Sequence, residues 1–259
     1  MAIGTIPADL FVGRSQELEH LREALRLACE GSGRMDLLVG EPGIGKTRLA
    51  DELCSHARKQ GVRVLAGRCL EDAGMPAYWP WAQAVEPYLA SLKPKELAAR
   101  LGPEASLVAT AFPAIRRLMP TLKPYSTDSD RPDEVRFRLF EVVTDLLVRA
   151  AAEQPVLLLL DDLHWADEGT LKLLVFVSRE LARSHLMVLS TYRDVEVGRK
   201  HPLAGCWGSS RGSGTWSGTC SRGSLPPRWR TTAARCWARG RSRSLRGGCS
   251  PRPRGIRSS

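Results

Sequence analysis

The chain has 259 residues, 43% hydrophobic and 25% charged, enough apolar material for one large or two small domains with a buried core. Its net charge of +10 invites a nucleic-acid reading, but the charge is concentrated: twelve arginines and no Asp, Glu or Lys lie between Ala204 and Ser259, which leaves residues 1–203 at −2. No signal pattern opens the chain, no apolar run approaches the roughly 18 residues of a membrane helix, and the cysteines show no metal-ligand spacing. A soluble cytoplasmic protein without a zinc site is expected.

In chain order, Phe11-Val12-Gly13-Arg14 precedes Ser15, which reads as an N-cap, and Leu18, Leu21, Ala24, Leu25, Leu27 and Ala28 then give helical spacing. Gly31-Ser32-Gly33 ends that helix. Met35–Val39 reads as a short apolar strand and runs into Gly40, Glu41, Pro42, Gly43, Ile44, Gly45, Lys46 and Thr47, the spacing of a phosphate loop. Glycines let backbone N–H groups turn toward phosphate oxygens, Lys46 supplies a point charge, and the Thr47 hydroxyl can ligate Mg²⁺. The helix opening at Gly45 adds its unpaired N–H groups to the same anion, and Arg48 in its first turn is counted with the phosphate-binding set. The helix reaches about Gln60 and is followed by a second strand, Val62–Ala66, the βαβ rhythm of a parallel sheet.

Prolines divide residues 70–130 into short helical pieces, among them Trp81–Leu92 and Glu104–Leu118. The aromatics Tyr78, Trp79, Trp81 and Tyr88 read as core cover rather than a ligand site. Ser126–Arg131 reads as a linker before a longer helix from Pro132 to Ala152.

The second strong signal is Pro155–Glu168, PVLLLLDDLHWADE. Val156–Leu160 has the uninterrupted apolar character of a strand buried on both faces, and it ends in two carboxylates on the sheet edge where parallel folds bind ligands. Asp161 is expected to hold Mg²⁺, directly or through water, and Asp162 to polarise the attacking water. His164 reads as orienting the acidic turn, with proton transfer as the second reading. A helix Glu168–Ala182 leads to the strand Leu186–Ser190 with Thr191, Tyr192 and Arg193 at its end, and Arg193 emerges on the loop's edge, within reach of a terminal phosphate.

The opening Val-Gly-Arg, GEPGIGKTRLA, LLLLDDLHWAD and the strand ending in Thr-Tyr-Arg-Asp together resemble the ATPase module of STAND-class signalling NTPases, over residues 9–203. The nearest group is the large ATP-binding LuxR-type transcriptional regulators and similar cyclase-associated modules. The resemblance implies an α/β fold: an AAA-related P-loop NTPase, a three-layer sandwich with a parallel sheet of order 5-1-4-3-2 and a helical insertion at about 70–130. It also implies that Val12, Gly13 and Arg14 lie near the adenine of ATP or ADP and that Arg193 acts as sensor 1. Such modules are nucleotide switches in which an inducer permits exchange, often with self-association or a regulatory protein partner. The Ala77–Trp81 patch recurs in that group without a known chemical role. Asp162 stands where many related ATPases carry Glu; a shorter side chain positions water less well, so slow turnover is expected.

The likeness stops at about residue 203. Residues 204–259 are rich in Arg, Gly, Ser, Trp, Cys and Pro and show no period of 2 or 3.6. We read this tail as disordered and as out-of-frame translation of a GC-rich gene, with an Arg-rich arm binding polyanions nonspecifically as the rival reading. Strand 5 of the sheet is then expected to be missing, leaving strand 1 as an apolar edge. No helix-turn-helix is visible, so sequence-specific DNA binding is not expected. Three functional classes follow: a nucleotide-dependent switch with slow Mg²⁺-dependent hydrolysis, a turnover ATPase doing mechanical or loading work, and a passive or nonfunctional nucleotide-binding fragment.

Overall fold

The four apolar runs form four parallel strands: β1 (Arg34–Val39), β2 (Arg63–Arg68), β3 (Val156–Asp161) and β4 (Leu186–Tyr192). A computed structural model describes residues 14–71, 74–126 and 131–193 and the strand 216–220. The chain divides into two compact units, Met1–Ser224 and Leu225–Ser259, and every described residue belongs to the first. Strand order is β2-β3-β4-β1, the order 2-3-4-1 expected from the sequence. β3 and β4 are buried at every position, which requires cover on both faces of the sheet.

One expectation about the sheet is corrected. A fifth strand, β5 (Trp216–Cys220), pairs in parallel with β1 from Met35↔Trp216 to Val39↔Cys220, so the place expected to be vacant is filled and β1 is not an edge. The physical reason is that an edge ladder is satisfied by backbone N–H and C=O groups alone. A segment rich in Gly and Ser can supply those without the alternating apolar pattern by which strands are read.

Eight helices surround the sheet among the described residues: α1 (Ser15–Cys29), α2 (Lys46–Lys59), α3 (Trp79–Ser91), α4 (Pro94–Leu101), α5 (Ala105–Ala111), α6 (Ala114–Leu118), α7 (Pro132–Glu153) and α8 (Glu168–Arg179). Leu18, Leu21 and Leu25 of α1 and Leu49 and Leu53 of α2 pack with Leu38, Leu157, Leu159, Met187 and Leu189 in one core layer. Each such leucine stabilises the fold by about 1.5–3 kcal/mol relative to an exposed one. α7 and α8 pack on each other, and α3 packs on β2 and β3.

Boundaries differ from the sequence reading where local chemistry decides them. Ser15 is the first helical residue, and the N-cap is Arg14 in the left-handed region with no side-chain cap. The expected helix Glu104–Leu118 is two helices, because Pro113 forces Phe112 out of helical geometry, to φ −124° and ψ 84°. The expected helix Glu168–Ala182 ends at Arg179, with a 3₁₀ turn at Leu181–Arg183.

The aromatics of the helical segment pack as expected. Trp81 is fully buried and donates its Nε1–H to the Thr170 carbonyl at 3.2 Å, while Tyr78 stands edge-on to Phe140 with ring centroids 6.1 Å apart. The Arg63 guanidinium lies 4.7 Å from the Tyr88 ring centroid.

A charged pair ties α1 to β1: His20 Nε2 lies 3.6 Å from the carboxylate of Asp36, which is fully buried. That carboxylate holds the His20 imidazolium above its ordinary range, against burial and Arg34 acting the other way. A raised folded-state pKa means that the pair stabilises the fold below the unfolded value of about 6.5 and loses that contribution as pH rises through the folded value. His20→Gln is therefore expected to lower the melting temperature more at pH 5.5 than at pH 8, as followed by circular dichroism. No helix among the described residues is long and apolar enough to cross a membrane.

Candidate nucleotide-binding site

The strand register brings the chain's two strong motifs to one edge. Val39, the last residue of β1, pairs with Tyr192, and the loop Gly40–Gly45 leaves the sheet there and turns into α2. Gly43 and Gly45 take φ of 75° and 91°, and a Cβ on either would meet nothing within 4 Å. These glycines therefore serve backbone conformation rather than tight packing. Glu41, Pro42 and Gly43 are exposed, Ile44 and Gly45 are half-buried, and Gly40 is buried at the root of the loop. Arg48 lies exposed in the first turn of α2.

Lys46 is buried, and its Nζ donates to the carbonyls of Gly40 at 2.8 Å and Glu41 at 2.9 Å. The ammonium is thus held inside the curve of the loop, where it meets an anion without first being desolvated. The neighbouring Thr47 hydroxyl donates to Asp161 Oδ2 at 3.4 Å, across 114 residues of chain. A hydroxyl and a carboxylate oxygen are hard donors, the set that suits Mg²⁺.

Asp161 and Asp162 are both buried at the end of β3. Thr191 serves both: its hydroxyl donates to Asp161 Oδ1 and accepts from the Asp162 backbone N–H at 2.9 Å. Asp162 sits in the left-handed region at φ 59°, a conformation costing about 1 kcal/mol or more in a residue with a side chain. It is held there by the Thr191 hydroxyl on its N–H and by the Trp165 N–H on its carbonyl at 3.0 Å.

Arg68, the last residue of β2, donates from Nε and Nη2 to Asp162 Oδ2 at 3.0 and 2.7 Å, and its Nε lies 3.7 Å from Asp161 Oδ2. One guanidinium thus spans both carboxylates, and the carboxylate of Asp162 raises its already high pKa. His164 is buried in a 3₁₀ turn, Leu163–Trp165, with Nδ1 3.9 Å from Asp162 Oδ1.

The fold brings Gly40–Thr47, Asp161 and Asp162 together on one edge. Arg193 follows Tyr192, whose register partner Val39 precedes the loop, so its backbone emerges on that edge. Arg14 caps α1, while Val12 and Gly13 lie outside the described residues. The sequence reading did not include Arg68 or Thr191 in the site. The strand expected over Val62–Ala66 stops short of Arg68, the charge that closes β2.

A phosphate loop, an acidic strand end and a parallel sheet of this order define a P-loop ATPase class. The profile of the AAA ATPase domain matches residues 10–189, and the chain belongs to that family and is an ATP-binding module. An uncharacterized protein of Rhizobium meliloti (strain 1021) is 24% identical over 196 residues, 70% of this chain and 18% of its own length. The chain therefore spans under a fifth of that curated relative. A STAND protein with a tetratricopeptide repeat sensor from Pyrococcus horikoshii is 18% identical, with 92% of this chain and 26% of that chain covered at a TM-score of 0.42. A Walker-type ATPase of Pyrococcus abyssi is 15% identical, with 94% and 62% covered at a TM-score of 0.39.

Proposed function

We propose that the chain is the nucleotide switch of a larger cytoplasmic signalling or transcriptional regulator, binding ATP or ADP with Mg²⁺ and hydrolysing ATP slowly. In this reading the loop N–H groups and Lys46 hold the phosphates, and Arg193 contacts the terminal one. Thr47 and Asp161 hold Mg²⁺, which when bound neutralises charge on the phosphate oxygens. Asp162 orients the attacking water, and a regulatory partner or self-association reads out the nucleotide state.

The observation that carries the slow, switch-like reading is the pairing of Arg68 with Asp162. One of the two carboxylate oxygens that could receive a water proton, Oδ2, already accepts two hydrogen bonds from a guanidinium. Water has full use of the carboxylate only when Arg68 moves, so the arginine slows turnover.

Asp161→Asn tests the metal part of the reading. The variant keeps an oxygen for Thr191 but loses the charge, so Mg²⁺ should no longer tighten ATP binding, a loss of about tenfold or more, and hydrolysis should cease. Calorimetric titration with and without Mg²⁺, with phosphate release alongside, reads both. An Mg²⁺ effect unchanged in the variant would remove Asp161 from the metal set. Rapid multiple turnover by the wild type would favour a working ATPase over a switch.

A further inference from the structure

The start of α3 and its N-cap Tyr78, which carry the aromatics of the Ala77–Trp81 patch, lie against both arms of the acidic site. Along β2, Arg63 and Cys69 send their N–H groups to β3, so Arg68, of the other parity, points its N–H out of the sheet edge. Gln83 of α3 accepts that outward N–H through Oε1 at 2.9 Å. One residue earlier, a Cβ on Gly67 would fall 1.8 Å from the Pro80 carbonyl oxygen, so glycine alone permits this approach of α3 to β2.

The same helix end grips the other arm. Tyr78 donates its backbone N–H to Asp167 Oδ2 at 3.3 Å, and Asp167 is the N-cap of α8 through the Thr170 N–H at 2.9 Å. Trp81 bonds the Thr170 carbonyl, and a Cβ on Gly169 would lie 2.9 Å from the Tyr78 ring. β2 delivers Arg68, and the turn between β3 and α8 delivers Asp162; the start of α3 is fastened to both.

We propose that the start of α3 is a positioning element for the acidic pair, with Gln83 setting the place of Arg68 against Asp162, so that a displacement of the helical segment changes the rate of turnover. This rests on the reading of Asp162 as the water-orienting group. Gln83 is a positioning residue: it touches the Arg68 backbone and acts only through that arginine. A partner or second copy pulling on α3–α6 would shift Arg68 against the acidic pair without touching the phosphate loop.

The test compares Gln83→Leu, which lacks the acceptor, with Gln83→Glu, which keeps it. In the nucleotide-free protein, the NMR signal of the Arg68 Nε–H, assigned by its loss in Arg68→Lys, should move toward that of a solvated arginine in Gln83→Leu and stay in place in Gln83→Glu. At saturating Mg²⁺ and ATP, Gln83→Leu should raise kcat about threefold or more with KM unchanged, and Gln83→Glu should restore the wild-type rate. In an Arg68→Ala background the Gln83→Leu effect should vanish. An unmoved Arg68 signal in Gln83→Leu, or an undiminished effect of Gln83→Leu in Arg68→Ala, would overturn the proposal. If the wild type neither binds nor hydrolyses ATP while the Arg68 signal responds as described, the nucleotide reading falls and the coupling of α3 to Arg68 stands.

Discussion

Lys46→Ala should lower affinity for ATP by about two orders of magnitude, roughly 3 kcal/mol, while leaving the fold intact. Lys46 is 7% exposed, so the fold has already removed most water from the side chain before any phosphate arrives. Its bonds to the Gly40 and Glu41 carbonyls fix its position at the root of the loop. A phosphate bound there meets a preorganised charge; without it, the loop N–H groups and the helix terminus act alone. A fluorescent ATP analogue measures the affinity, and circular dichroism checks the fold. Equal affinity in the variant with an unchanged melting curve would mean that the phosphates sit elsewhere.

Gly67→Ala should destabilise the protein by about 3 kcal/mol, which for a domain of this size lowers the melting temperature by roughly 6–12 °C. The added methyl carbon would lie 1.8 Å from the Pro80 carbonyl oxygen and 2.7 Å from its carbon, both backbone atoms that cannot swing aside. Relief requires α3 to lift off β2. Gly61→Ala provides the control: at φ 74° it carries backbone strain of about 1–2 kcal/mol, but its Cβ meets nothing within 4 Å. Thermal denaturation of the two variants separates clash from strain, and a Gly67→Ala protein as stable as Gly61→Ala would deny the close contact of α3 and β2.

What the sequence revealed was local. The run Met35–Ala50 carries strand, loop and helix in contiguous residues, and the loop's glycines and lysine need only their own backbone to be arranged. The leucines before Asp161-Asp162 likewise state a strand buried on both faces, and their strand lies where the implied order places it. What it concealed depended on distant partners. Arg68 and Asp162 are 94 residues apart, and their meeting follows from β2 and β3 being neighbours in parallel register, which no periodicity in either strand states. Gln83 is an ordinary polar helix residue until α3 is laid along the edge of β2. Thr191 ended a strand in plain sight, but its double role needs the register that sets β4 beside β3. β5 was missed because a backbone ladder needs no side-chain pattern.

The central claim is that the loop at the end of β1 binds a nucleotide through its phosphates. Competition against a fluorescent ATP analogue tests it most directly, using ATP, ADP and adenosine with Mg²⁺ present. The account predicts one analogue site per chain, displaced by ATP and ADP at similar concentrations and by adenosine only at concentrations about a hundredfold higher or more. Displacement by adenosine as effective as that by ATP, or no saturable site at all, would contradict it.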